Sequence, residues 1–310
     1  MSISISVVLP ANKEDFLERA IESILTQSYA DFELIVVNDH PGSKIKTIVS
    51  RFSDVRIRYY ENVENIGGKN LIRNWNNCIG YASGQYMVLA SDDDEYDKDY
   101  LAEMINLTQK HPTCNLYYCR IRYIDKHGNT LQISQPALEY ETPIDFIYQR
   151  LIWNRKQALQ EFFFRTSALK AAGGFVDFPL AWYSDDATLA LMSLNGVAYS
   201  DKILFNMRLS GQNISTGNLH RKKKIEALRQ YILWLDTFLP ILSTYNKDDI
   251  FMKNKLLAEY RPILNYHRLI SVGKLNIKNS FIGYKALIDE GVYGRNFVYR
   301  QVFKRIIGLV

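Results

Sequence analysis

The feature that most constrains this chain is an apolar run that ends in three adjacent carboxylates. Residues 84–97 read G-Q-Y-M-V-L-A-S-D-D-D-E-Y-D: residues 86–90 are apolar and of strand length, and Asp92, Asp93 and Asp94 follow after Ser91. Neighbouring carboxylates repel one another and are poorly solvated behind a buried strand, so the arrangement is costly unless a cation or hydrogen-bond donors face it. The carboxyl end of a parallel strand is also where open α/β sheets place their ligands. A hard divalent metal carrying a phosphorylated ligand satisfies such oxygens. The competing reading is a solvated acidic turn that caps the next helix.

Around this stretch, strand-like and helix-like patterns alternate. Residues 3–9, 32–37 and 56–60 read as strands. Between them, Phe16, Leu17, Ala20, Ile21, Ile24 and Leu25 repeat at helical spacing, and residues 45–52 form a second helix. Such alternation implies βαβ units and a largely parallel sheet. Residues 65–69, N-I-G-G-K, form a loop feeding a helix at 70–81, where Lys69 and Arg73 add positive charge to a turn that backbone glycines open to a phosphate. A Gly-Gly pair before a helix is more often only a turn.

Beyond the acidic stretch, the pattern predicts a helix at 99–110, a strand at 115–124 with a turn at 125–129, a strand at 160–165, and a short helix at 166–172 ended by Gly173-Gly174. Residues 130–160 follow no clear period. Ser184 reads as the N-cap of a helix at 187–194, with Asp185 and Asp186 at its positive end, and capping alone is a sufficient reason for all three. Residues 197–209 read as a strand pair. From His220 the pattern is helical, with Ile225, Leu228, Tyr231, Ile232 and Leu235 on one face, so a boundary is expected near residue 218.

Composition excludes some classes. No stretch approaches the roughly 18 uninterrupted apolar residues of a membrane-spanning helix; the best, 232–242, is broken by Asp236 and Pro240. Nothing at the N-terminus resembles a signal peptide, so cytoplasmic residence is expected. Cys78, Cys114 and Cys119 are too few and too irregularly spaced for a zinc site or a disulfide framework, and read as reduced and mostly buried. Residues 1–219 carry 21 Lys/Arg against 26 Asp/Glu, whereas residues 220–310 carry 17 against 7. An acidic body joined to a basic tail points to an anionic surface as partner. In residues 293–310, Arg295, Arg300, Lys304 and Arg305 are set among Phe297, Val298, Tyr299, Phe303, Ile306 and Ile307. This pattern fits a segment lying at an anionic membrane surface, and equally one packed on the domain or on a second subunit of a homo-oligomer. Nucleic acid is a poor fit, since the ligand-like residues are acidic.

Four separated segments, taken together, resemble the family-two inverting glycosyltransferases of the GT-A fold, over residues 3–216. They are S-V-V-L-P-A-N-K-E-D-F with its continuation to Asp39, A-S-G-Q-Y-M-V-L-A-S-D-D-D at 82–94, G-G-F at 173–175, and S-D-D-A-T-L-A-L at 184–191. The resemblance implies an α/β nucleotide-diphospho-sugar transferase fold with a mainly parallel central sheet. A nucleotide-sugar half (about 1–95) and an acceptor half (96–218) would be followed by a basic helical extension (219–310).

By the same resemblance, Pro10 to Asn12 lie beneath the nucleoside, Asp39 contacts the base, and Asp92 and Arg208 face the nucleotide sugar, to which the loop reading adds Lys69 and Arg73. The first position of the usual L-D-x-D-D pattern falls on Ala90 or Ser91. The ligand for Mn²⁺ or Mg²⁺ therefore lies among the three aspartates, with Asp93 favoured and Asp94 beside it. Asp186 takes the place of the catalytic base, with Asp185, where the family usually has Glu, and Trp182 on the acceptor side. Where relatives often carry a His after the last core strand, this chain has Ser210.

The expected activity is transfer of a sugar from a nucleoside-diphosphate sugar, UDP most often in the family, to a hydroxyl of a glycan or lipid-linked acceptor in bacterial surface polysaccharide synthesis. A catalytically impaired nucleotide-sugar-binding or scaffolding subunit is the alternative, suggested by the missing His and the altered first Asp. Peripheral attachment at the inner face of the cell membrane would follow if the tail binds lipid.

Overall fold

The computed structural model describes residues 5–152, 154, 156–209, 221–244 and 247–273. The chain divides into two compact units, residues 1–227 and 228–310. The boundary expected near 218, Ser210 and the basic stretch at 293–310 lie outside the described residues.

In the first unit, β1 (Ile5–Ala11) and β2 (Phe32–Asn38) are apolar and almost wholly buried, as strands covered on both faces must be. Helix α1 (Leu17–Leu25) buries Leu17, Ala20, Ile21 and Ile24, the stripe that the periodicity predicts. After α2 (Ile45–Val49), β3 (Ile57–Glu61) and α3 (Leu71–Gly80) comes β4 (Tyr86–Leu89), which ends in the acidic run. There follow β5 (Glu95–Tyr96), α4 (Tyr100–Lys110), β6 (Leu116–Ile124), β7 (Thr130–Ile133), β8 (Tyr140–Glu141), α5 (Pro143–Leu151), β9 (Phe163–Arg165), α6 (Thr166–Ala171), α7 (Ser184–Met192) and β10 (Val197–Arg208).

The strand order is β3-β2-β1-β4-β9-β6-β10-β5, with β7 paired to β6 and β8 to β10. The pairs β1–β2, β1–β4, β2–β3 and β6–β10 are parallel, while β9 runs antiparallel between β4 and β6. The sheet is therefore mostly parallel. In β1, Val8 lies opposite Leu89 of β4, and Ala11 lies opposite Asn38 of β2. This register brings the carboxyl ends of β1, β2 and β4 to one edge, and with them Asn12, Asp39 and the three aspartates.

Two expectations need correction. The stretch expected as a strand pair is one long strand, Val197–Arg208: β10 stays beside β6 throughout, with register shifts between Ser200 and Phe205. Asp201 and Lys202 project into solvent at that irregularity, and two exposed polar residues in an apolar run imitate a turn. Ser184 is not an N-cap either. The helix starts at Ser184 itself, behind Tyr183, and the Ser184 hydroxyl accepts the amide N–H of Phe178 at 3.1 Å. The unperiodic stretch 130–160 holds two short strands and α5, whose N-cap Thr142 accepts the amide of Asp145 and is followed by Pro143.

The second unit contains most of α8 (Arg221–Phe238), followed by α9 (Lys247–Gly273). Arg261 of α9 pairs with Asp236 of α8 at 2.5 Å, and the Tyr260 hydroxyl donates to the same carboxylate. Among the described residues, no helix is long and apolar enough to cross a membrane.

The opposite, amino-terminal edge of the sheet is tied by Glu33. Its buried carboxylate accepts Ser6 Oγ at 2.7 Å, Ser83 Oγ at 2.7 Å and the Ser83 amide at 2.9 Å, and pairs with Arg58. Gly84 must pass this knot closely: a Cβ there would lie 2.7 Å from main-chain atoms of Ile5 and Ser6. Gly84→Ala is therefore expected to cost about 1–3 kcal/mol, as overpacking against backbone does. The measurement is a lowered urea midpoint at unchanged denaturant slope.

Candidate active site

The carboxyl ends of the strands open into a cavity of about 570 Å³, lined by Pro10, Asn12, Lys13, Asp39, Asp92, Asp93, Asp94, Trp182, Asp185, Asp186 and Arg208 among others. The acidic groups of residues 92–94 and 185–186, far apart in sequence, thus share one space. Of the residues singled out in the sequence, Lys69 and Arg73 do not line it. Lys69 pairs with Glu64 at 2.6 Å on the exposed surface, and the Arg73 amide is capped by Asn70.

The first wall is built from loops that follow parallel strands. Asp39, after β2, accepts the amides of Ile66 at 2.8 Å and Gly67 at 2.7 Å and the side chain of Asn62 at 2.7 Å. The loop approaches so closely that a Cβ on Gly67 would stand 2.6 Å from the Asp39 carboxylate. The Gly-Gly turn is therefore a cradle for Asp39.

Asp92 Oδ2 accepts two main-chain amides, those of Asn12 and Lys13, each at 2.7 Å. Asp93 accepts Ser91 Oγ at 2.5 Å on one oxygen and Lys13 Nζ at 2.8 Å on the other. Asp94 accepts the amide of Arg208 at 2.8 Å. Burial pushes the Asp92 carboxyl above its ordinary value, against the pull of its two amide bonds. Burial raises Asp94 further, helped by the charge of Asp93.

Arg208 borders the cavity, but its guanidinium is engaged with protein groups. Its side chain is fully buried, and its guanidinium donates to the carbonyls of Asp93 and Asp125 at 3.0 Å, pairs with Glu95, and lies 4.4 Å from the ring centre of Phe16. Lys13, which the sequence did not single out, is instead the cation facing the acidic run. It stands inside the first matched segment, but neither period nor residue type marks it, because its role depends on where β1 ends.

The second wall is residues 179–183 and the first turn of α7. Leu180, Ala181 and Tyr183 all adopt left-handed backbone angles, with φ of 62°, 57° and 71°. The turn is held from behind: Ser184 Oγ accepts the Phe178 amide, and Thr188 Oγ1 accepts the Val176 amide at 2.9 Å while donating to the Ser184 carbonyl at 2.7 Å. Trp182 has the ammonium of Lys224 4.2 Å from its ring centre. The G-G-F segment closes this side, since Asn76 of α3 accepts the Phe175 amide at 2.8 Å and donates to its carbonyl at 3.0 Å.

Asp186 accepts Arg150 Nε at 3.0 Å and a terminal Arg150 nitrogen at 2.6 Å, and the same guanidinium is 3.7 Å from Asp185. Burial, then the neighbouring charge of Asp186, pushes the Asp185 carboxyl up to about 6. Arg150 comes from α5, inside the stretch that the sequence left unplaced. Its partner Gln157 accepts from it at 3.1 Å and lines the cavity.

Among the described residues, no three acidic, His or Cys side chains converge as a cage for a metal ion. An Mg²⁺-type site needs no such cage, because it uses one or two carboxylates and completes its shell with phosphate oxygens and water. Asp93 fits that requirement: it lines the cavity, and its oxygens are met by a hydroxyl and a lysine side chain, not by the main chain.

Comparison with known proteins agrees with this architecture. A solved structure of S. aureus TarS, residues 1–349 with UDP-GlcNAc, superposes with a TM-score of 0.63 at 17% identity, over 82% of this chain and 71% of that one. A mannosyltransferase of Pyrobaculum calidifontis, solved with GDP-Man and Mn²⁺, gives 0.55 at 14% identity, over 96% and 84%. These likenesses establish the GT-A glycosyltransferase fold. Among curated proteins, the GalNAc(5)-diNAcBac-PP-undecaprenol beta-1,3-glucosyltransferase of Campylobacter jejuni is 31% identical over 144 residues, which is 45% of this chain and 45% of that protein. The profile of glycosyl transferase family 2 matches residues 6–172, more than half of the chain, and the chain belongs to that family.

Proposed function

We propose that this glycosyltransferase is metal-dependent and inverting, and that it moves a sugar from a nucleoside-diphosphate sugar to a hydroxyl of a glycan or lipid-linked acceptor in bacterial surface polysaccharide synthesis. The observation that carries the reading is the single cavity shared by Asp92–Asp94 and Asp185–Asp186. Such a pair of acidic walls suits a donor diphosphate on one side and a hydroxyl to be deprotonated on the other. UDP is the favoured donor nucleotide from the family's habit and from the TarS complex with UDP-GlcNAc. The undecaprenol-linked substrate in the Campylobacter relative's name supports a lipid-linked acceptor.

In this mechanism the acceptor oxygen attacks the anomeric carbon from the face opposite the diphosphate, as Asp186 takes its proton. The bond from that carbon to the phosphate oxygen breaks, and its electron pair leaves with the nucleoside diphosphate. Arg150 holds the Asp186 carboxylate in place by two hydrogen bonds. Pro10, Asn12 and Asp39 border the nucleoside, Asp92 the ribose, and Asp185 and Trp182 the acceptor. Mn²⁺ or Mg²⁺, held by Asp93, supplies Lewis-acid stabilisation of the leaving diphosphate when bound. Asp94, buried and bonded to the Arg208 amide, keeps the Asp93 loop in shape and is not the metal ligand in this reading. Residues 1–218 form the catalytic part, and the basic residues 219–310 bring it to the anionic inner face of the cell membrane.

A panel of activated sugars, assayed for released nucleoside diphosphate with Mn²⁺ or with EDTA, tests the proposal: one donor is turned over with Mn²⁺ and none with EDTA. With that donor, Asp186→Asn is expected to lower kcat by about 10²–10⁴-fold, and retention of wild-type kcat removes Asp186 as the base. Arg150→Met is expected to lower kcat by about 10²-fold through misplacement of Asp186. In steady-state kinetics the donor KM should move little, since Arg150 faces the second wall.

A further inference from the structure

We propose that Lys13 competes with the divalent cation for Asp93, so that the nucleotide-free protein holds its own ammonium where the metal must sit and releases it only when a diphosphate offers a better partner. This rests on the metal-dependent reading above and assigns a residue to the control of metal entry.

Lys13 is anchored at both ends. Its amide donates to Asp92 at 2.7 Å, and its side chain turns back to reach Asp93 at 2.8 Å. The Asp93 side chain is only 9% exposed and its second oxygen already accepts Ser91 Oγ at 2.5 Å, so the oxygen that Lys13 holds is the one left for another cation. A hard divalent ion and an ammonium seek that same oxygen and repel each other across it.

Among the described residues that line the cavity, Lys13 and Arg208 are the cationic side chains. Arg208 is committed to Glu95 and to main-chain carbonyls, so it cannot take over the role. The lysine side chain is about one-third exposed, on a flexible stem whose backbone stays pinned by Asp92. It can therefore swing from Asp93 to a phosphate oxygen without rearranging the loop. Metal and diphosphate then bind with positive coupling, since each removes an obstacle to the other.

The test is Mn²⁺ titration without nucleotide, followed through the electron-paramagnetic-resonance signal of unbound Mn²⁺, on the full chain. Variants are Lys13→Gln, Lys13→Met, Asp93→Asn, and Lys13→Met combined with Asp93→Asn. The expected result is Mn²⁺ binding at least tenfold tighter in both Lys13 variants than in wild type, with the gain lost in the combined variant. Unchanged or weaker Mn²⁺ binding in both Lys13 variants, with Asp93→Asn still reducing binding, overturns the competition and leaves the metal reading standing. Mn²⁺ binding that Asp93→Asn does not alter in either background overturns both. The Lys13 side chain lies in the cavity and not in the core, so its replacement is not expected to disturb folding.

Discussion

Two main-chain N–H groups, those of Asn12 and Lys13, meet one carboxylate oxygen of Asp92, and the rest of the site depends on that junction. It welds the end of β1 to the end of β4. The same device recurs at Asp94, whose partner is the amide of Arg208 at the end of β10. Strands distant in sequence are thus locked at their carboxyl ends by acidic side chains. Those acids in turn obtain the donors that a buried carboxylate requires. Neither half of this arrangement stands alone, and Asp93, between the two anchored residues, is the member held by side chains.

The two walls of the cavity are made differently. On the wall built from Asp39 and Asp92–Asp94, amides and glycines do the holding: the cradle around Asp39 exists because Gly67 lets the backbone come within van der Waals range of a carboxylate. On the other side, long side chains do it, with Arg150 reaching from α5 to the first turn of α7. A backbone-built wall keeps its shape when surface residues change, whereas a wall held by an arginine is one substitution from losing its geometry.

Much of this was readable in the sequence, and the reasons for the gaps are physical. Buried parallel strands announce themselves as unbroken apolar runs, so β1, β2 and β4 and the acidic exit from β4 were plain. Asp185 and Asp186 were plain as a pair, but the turn that presents them was not, because left-handed angles at Leu180, Ala181 and Tyr183 follow no propensity rule for those residues. Arg150 gave no signal, and Lys13 was not singled out within its matched segment, since one basic residue on a helix or in a loop looks like any solvated charge. Arg208 was legible as a cation near the end of the last strand that borders the cavity, but its partners Glu95 and Phe16 were not, because they depend on how the strand ends pack. The bulge near Asp201 hid one strand behind the likeness of two.

The left-handed stretch has an energetic meaning. Each such residue with a Cβ costs roughly 1–2 kcal/mol relative to a right-handed conformation, so the free protein stores conformational energy at the rim of its own cavity. A rim under tension is easy to reshape, because a replacement that relaxes it is favoured before any new contact is made. Leu180, Ala181 and Tyr183 are consequently positions where a glycine would relieve conformational strain while leaving Asp186 and its arginine untouched.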